Sequence, residues 1–131
     1  MPYLLDRRNE ISKGGERVRQ VSVETFEEEI LEAPVPCVVV FKREGCHLCQ
    51  GLDRVLPRIQ QRYGRGLKIS TIDSFEEEHL VDLFEVDGVP TIFLFISGDG
   101  QEIPYPDSPS PFSGYSEEYL IGHLDKIVSN V

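Results

Sequence analysis

The sequence predicts an α/β fold, a mixed sheet covered by helices, and three observations carry that prediction. From Val18 to Phe84 strand-like and helix-like segments alternate as βαβαβα, the order that builds parallel strand pairs. Cys37-Val38-Val39-Val40-Phe41 is an unbroken apolar, β-branched run, as a strand buried on both faces requires. Thr91–Ile96 is β-rich and runs into Ser97-Gly98-Asp99-Gly100, a hairpin turn whose returning strand should pair antiparallel. At 131 residues the chain can enclose one core without disulfide staples, so a single domain over 18–131 is expected. Residues 1–17 lack a sustained period, contain Lys13-Gly14-Gly15, and read as an extension or flexible arm.

Each element has a local cause. Val18–Val23 alternates polar and apolar residues like a short strand, and Thr25-Phe26-Glu27-Glu28 fits a capping box that opens a helix with Phe26 and Ile30 on one face. Ala33-Pro34-Val35-Pro36 ends it, and the Cys37–Phe41 strand follows. After the loop Lys42–Gly45, Leu48, Leu52, Val55, Leu56, Ile59 and Tyr63 recur at helical spacing until Gly64 and Gly66. A helix therefore starts at Cys46 and Cys49, and Pro57 inside it should kink or locally interrupt it. Leu67–Ile72 reads as a strand, and Ser74-Phe75-Glu76-Glu77 as a second capping box before a helix through Leu80, Leu83 and Phe84. Beyond the hairpin, Pro104, Pro106, Pro109 and Pro111 suit an edge with a protruding loop. Ser116 caps a last helix whose apolar face holds Tyr119, Leu120, Leu124, Ile127 and Val128.

Charge narrows the function. A formal net charge of −10 argues against nucleic-acid binding, which needs a cationic surface. No apolar run approaches membrane-spanning length, and the Arg-rich residues 1–20 lack the apolar core of a secretory signal, so a cytoplasmic protein is expected. The charge is uneven. Residues 37–70 carry Lys42, Arg43, Arg54, Arg58, Arg62, Arg65 and Lys68 against Glu44 and Asp53, whereas 71–131 hold the single cation Lys126.

The chemistry gathers at Cys46-His47-Leu48-Cys49, after a buried strand and at the start of a helix. Two intervening residues in a helical turn bring two sulfurs within disulfide reach. The free amides and dipole of a helix N-terminus favour an anion, so the exposed Cys46 suits the attacking thiolate and Cys49 the resolving thiol, with His47 and the basic loop adding positive charge. A cysteine pair at this spacing can also be half of a zinc site or an inert surface pair. Zinc needs four ligands, no second pair exists, and Cys37, His79 and His123 are scattered, so the context favours redox chemistry without a metal or bound cofactor. Three cysteines in all suit one reactive pair plus a bystander rather than a secreted disulfide scaffold.

Three features together resemble the thioredoxin superfamily: Cys46-His47-Leu48-Cys49 after Val38–Phe41, Val89-Pro90-Thr91 leading Ile92–Ile96, and Gly114-Tyr115 before the closing helix. The resemblance spans Val18 to Val131 and implies a thioredoxin-like three-layer α/β/α sandwich with a mixed central sheet. It also implies a protein-disulfide oxidoreductase with a cis Val89–Pro90 bond, in which Val89 and Pro90 line the client groove. Gly45, before the pair, is expected to be a further client-contact position. Its partners would be protein clients with disulfides or thiols, and a thioredoxin reductase or glutathione.

The departures from the family are specific. Thioredoxins read Trp-Cys-Gly-Pro-Cys, while this chain has Gly45, His47 and Leu48 there and no tryptophan. The family's buried acid, which relays a proton to the resolving cysteine, falls on Val40, and its nearby lysine falls close to Ile69, beside Lys68. A specialised exchange protein is therefore expected rather than a general thioredoxin. A different class stays open: a thioredoxin-fold binding or adaptor module that holds a partner, or a shared iron–sulfur cluster through Cys46.

The remaining candidates have plainer readings. Cys37 on the apolar strand should be an inert core thiol. His123 should be structural, Glu76-Glu77-Glu78 suits a helix first turn, and Arg54, Arg58 and Arg62 line one helix face as a solvated surface or a patch for acidic clients.

Overall fold

Alternate side chains of Cys37–Lys42 (β2) enter two separate apolar clusters, Val38 and Val40 one of them, Cys37, Val39 and Phe41 the other. A strand pleat sends neighbours to opposite faces, so an uninterrupted apolar strand forces helices onto both. The computed structural model describes residues 17–106 and 115–128, which leaves most of the N-terminal extension, Pro109, Pro111 and Gly114 outside the described residues.

β2 lies at the centre of a five-stranded sheet ordered β1-β3-β2-β4-β5, with β1 at Arg19–Gln20, β3 at Lys68–Asp73, β4 at Thr91–Ile96 and β5 at Asp99–Ile103. β1–β3 and β2–β3 pair parallel, β2–β4 and β4–β5 antiparallel. On one face His47–Tyr63 (α2) and Glu117–Leu124 (α4) bury Leu52, Leu56, Ile59, Tyr63, Leu120 and Leu124 against the sheet. On the other, Val23–Phe26 (α1), continued by the π-helical turn Glu27–Leu31, and Glu78–Leu83 (α3) bury Phe26, Ile30 and Leu80. Five phenylalanines, Phe26, Phe41, Phe84, Phe93 and Phe95, interlock there at centroid distances from 5.4 Å to 6.2 Å, in the tilted and edge-on geometries aromatic quadrupoles prefer. The architecture is the three-layer α/β/α sandwich with a mixed sheet.

Several boundaries differ from expectation. The first helix starts at Val23 with Ser22 as N-cap, and Thr25 closes its turn by accepting the Ser22 N–H on Oγ1 at 3.3 Å, so Thr25 is the third helical residue and not the cap. The expected second capping box does not form: α3 begins only at Glu78, its N-cap Glu77 makes no side-chain cap bond, and Asp73 Oδ1 instead closes the preceding turn by accepting from the N–H of Phe75 and Glu76 at 2.9 Å and 3.2 Å. Ser74 lies in that turn, directly after the end of β3 at Asp73 and too far ahead of Glu78 to cap the helix. Leu83 is 61% exposed, and Phe84 enters the ring cluster in its place.

α2 runs through Pro57 as one helix, so the expected local interruption does not occur. Leu52, Leu56 and Ile59 pack on either side of it, and the carbonyl it leaves unpaired belongs to exposed Asp53. The hairpin turn is only Ser97-Gly98, at φ 52° and 83°, with Ile96 opposite Asp99. Asp99 and Gly100 already belong to β5, because two left-handed residues suffice to match the strand twist. Ile127 is exposed, and Val128 takes the buried position beyond α4.

Candidate functional site

The loop after β2 delivers the cysteine pair. The Cys46 N–H donates to the Arg43 carbonyl at 3.2 Å, closing a turn in which Gly45 sits at φ 83°, a left-handed conformation that favours glycine. Cys46 is the N-cap of α2 with extended backbone, and its Sγ accepts the Cys49 N–H at 3.2 Å. The free amide at this helix start is therefore aimed at the Cys46 sulfur, the arrangement that stabilises a thiolate. Cys46 is half-buried and Cys49 is 2% exposed. Burial first, then the side-chain hydrogen bond with Cys46, push the Cys49 thiol well above its ordinary range. One sulfur is reachable and the other is sequestered one turn inside.

The other expected residues take separate places. His47 and Leu48 are exposed on the first turn of α2. The Val89–Pro90 peptide is cis, Val89 is half-buried and Pro90 buried. Register places Thr91 opposite Phe41, so the loop before β4 and the loop that carries Cys46 lie at the same end of the β2–β4 pair. Cys37 is fully buried, its thiol pushed up to about 11, mainly by burial. His123 is half-buried, edge-on to the Tyr119 ring at 4.8 Å, and His79 is exposed. Arg58 and Arg62 pair with Glu117 at 2.9 Å and Asp125 at 3.3 Å, so two of the three expected surface arginines tie α2 to the closing segment.

Val40 and Ile69 are fully buried hydrocarbon in the cluster beneath α2. Lys68, beside Ile69, bonds the Glu29 carboxylate and carbonyl at 2.7 Å and 2.8 Å, on the opposite face of the sheet. Sequence reading missed what lies on the flank of Cys49 away from β4. A cavity of about 390 Å³ opens there, lined by Cys49, Lys42, Asp53 and Asp73 among others. Lys42 Nζ meets Asp53 Oδ1 at 2.6 Å. Asp53 follows Cys49 by four residues, a spacing that puts both on one helix face, and this was the available signal. Among the described residues no group of three or more His, Cys, Asp or Glu side chains could hold a metal ion.

The thioredoxin family model matches residues 17–109, which include the sheet, the cysteine pair and Pro90. This chain belongs to the thioredoxin family. It is 28% identical over 79 residues to Thioredoxin 1 of Nostoc sp., covering 60% of this chain and 74% of that one. It is 30% identical over 111 residues to Thioredoxin X, chloroplastic, of Arabidopsis thaliana, covering 84% and 60%. Over 84 residues it is 30% identical to Thioredoxin of Acetoanaerobium sticklandii, covering 64% and 78%. The family is one of thiol–disulfide oxidoreductases, and Cys46 and Cys49 lie at the start of α2. No helix among the described residues is long and apolar enough to cross a membrane.

Proposed function

We propose that this thioredoxin-family protein exchanges disulfides with protein clients through Cys46 as nucleophile and Cys49 as resolving thiol. The observation that carries this reading is the asymmetry of the pair: Cys46 Sγ is reachable and receives an amide hydrogen bond, while Cys49 is 2% exposed. Cys46 thiolate attacks a client disulfide, forming an S–S bond to one client sulfur and releasing the other as a thiolate that takes a proton. Cys49 then loses its proton and attacks Cys46 Sγ. The Cys46–Cys49 disulfide forms, the second client sulfur leaves, and two electrons have passed from the pair to the client. His47 adds positive charge beside the thiolate when protonated, and Val89, Pro90 and Gly45 form the surface that receives the client. A thioredoxin reductase or glutathione restores the dithiol. The exchange domain is 18–131, with 1–17 as an extension, and a reducing, cytoplasmic setting suits the sparse, odd cysteine content.

The test is a set of serine variants. Cys46→Ser should abolish exchange, since a hydroxyl is not ionised at neutral pH. Cys49→Ser should attack clients but fail to release them, accumulating mixed disulfides that a small thiol dissolves. Cys37→Ser should keep turnover. If Cys46→Ser is the variant that traps clients the two roles are reversed, and if none of the variants loses activity the redox reading fails. Iron retained after anaerobic purification would favour the cluster-holding alternative.

A further inference from the structure

The exchange reaction proposed above needs a proton acceptor at Cys49. Its thiol is buried, and a buried thiol does not ionise readily on its own. At Val40 on β2 and Ile69 on β3 the sheet beneath α2 offers only hydrocarbon. The opening is on the other flank, in the cavity that Cys49 shares with Lys42 and Asp53.

We propose that Asp53, held in place by Lys42, accepts the proton that Cys49 gives up when the mixed disulfide is resolved, by way of water in that cavity. This rests on the exchange reading. Four residues separate Cys49 from Asp53 within a continuous helix, which stacks them one turn apart on the same face. The Lys42 ammonium, 2.6 Å from Asp53 Oδ1, comes from the end of β2 and fixes the carboxylate against the cavity wall. About 390 Å³ with a polar lining is ample for the bridging water. The carboxylates differ in availability. Asp73 Oδ1 is engaged by the N–H groups of Phe75 and Glu76, and Glu44 belongs to the loop before Cys46, whereas Asp53 lies on the helix that carries Cys49.

Electrostatics favour the same route. The negative Asp53 raises the Cys49 thiol, a smaller effect than burial and the hydrogen bond with Cys46. When Asp53 takes the proton it becomes neutral, so its repulsion of the forming thiolate vanishes in the step that creates it. The Cys49 thiolate then attacks Cys46 Sγ, the Cys46–Cys49 bond forms, the Cys46–client bond breaks, and the client thiolate takes up a proton from Asp53 or solvent. Lys42 from β2, Asp73 from β3, and Arg43 and Glu44 from the loop also face this cavity, so the pH profile is read as a difference between variants.

The experiment measures single-turnover release of a client thiol from the mixed disulfide. Asp53→Asn should slow release at neutral pH by about tenfold or more, within the range for lost general-base catalysis, with the gap closing as rising pH supplies hydroxide. In the Cys49→Ser background the same substitution should leave client capture by Cys46 within about twofold, because the proton in question is not involved. Lys42→Gln removes the ammonium that positions the carboxylate but keeps the carboxylate, so release should slow by less than in Asp53→Asn, and adding Lys42→Gln to Asp53→Asn should slow it by no more than about twofold further. Wild-type release by Asp53→Asn, or a larger additional loss in the double variant, overturns the proposal. Failure of Cys49→Ser to trap any client overturns the exchange reading itself, a result read before Asp53 is changed.

Discussion

The backbone N–H of Cys49 donates to Cys46 Sγ across 3.2 Å, so the residue that would resolve the mixed disulfide also supplies the amide that steadies the nucleophile. A thiolate acceptor draws more from that bond than a neutral thiol or a disulfide sulfur does, which favours the reduced pair. Leu48 in place of the family's proline and His47 beside it act in the same direction. The reduction potential should lie above the thioredoxin reference of about −270 mV, as measured by equilibration with glutathione buffers; a lower value contradicts this account.

Accessibility separates the three thiols further. Cys46 is half-buried, whereas Cys49 and Cys37 are 2% and 0% exposed. Iodoacetamide should modify Cys46 at least about a hundredfold faster than either neighbour under native conditions, as peptide mass spectrometry would show. Equal labelling of Cys46 and Cys49 would remove the asymmetry on which their roles depend.

Gln60 is a buried amide that joins α2 to β3. Its Nε2 donates to the carbonyls of Leu67 at 2.6 Å and Gly64 at 3.1 Å, and its Oε1 accepts the Ile69 N–H at 3.0 Å. Gln60→Leu fills the space but strips partners from these backbone groups. The loss should be about 2–4 kcal/mol in urea denaturation, and a change below about 0.5 kcal/mol would show that the groups find other partners.

Stability should fall in alkali through the buried thiol of Cys37. Its value is raised from the usual 9.0 to about 11 on folding, so above about pH 9 the unfolded chain releases a proton that the folded chain retains. The contribution is fully present below the unfolded value and is lost as pH climbs towards about 11. The Tyr115 phenol, raised from 10.0 to about 12 chiefly by burial, extends the decline. Cys37→Val should flatten the dependence of the urea midpoint on pH across the lower part of this window, and an unchanged slope would assign the decline elsewhere.

The closing segment is held by one good bond and weaker ion pairs. Tyr63, 3% exposed, donates its hydroxyl to Asp125 Oδ1 at 2.6 Å, whereas Arg58, which pairs with Glu117, has a side chain 60% exposed. Asp125→Ala should cost about 1 kcal/mol through the Tyr63 hydroxyl, and Glu117→Ala less than about 0.5 kcal/mol. Equal losses in thermal or urea unfolding would mean that charge rather than the buried hydroxyl decides.

Elements whose causes are local are legible in the chain before it folds. An apolar run such as Val38–Phe41 forces a two-sided strand, a 3.6-residue period from Leu52 to Tyr63 forces a one-sided helix, and a cysteine just before that period must sit at the helix start. Those rules already place Cys46 and Cys49. Tertiary structure decided what depends on meeting a partner from another element. Ser74 looks like a helix cap in sequence, but β3 runs to Asp73 and a turn closed on that carboxylate delays α3 to Glu78. Gln60 looks like a misplaced polar residue until the loop carbonyls of Gly64 and Leu67 and the Ile69 N–H converge on it. Lys42 and Asp53 belong to a strand and a helix, and only the crossover between β2 and α2 brings them to 2.6 Å beside Cys49. Backbone periodicity is a property of neighbours in the chain, whereas hydrogen bonds and ion pairs between elements exist only after packing has chosen their relative placement.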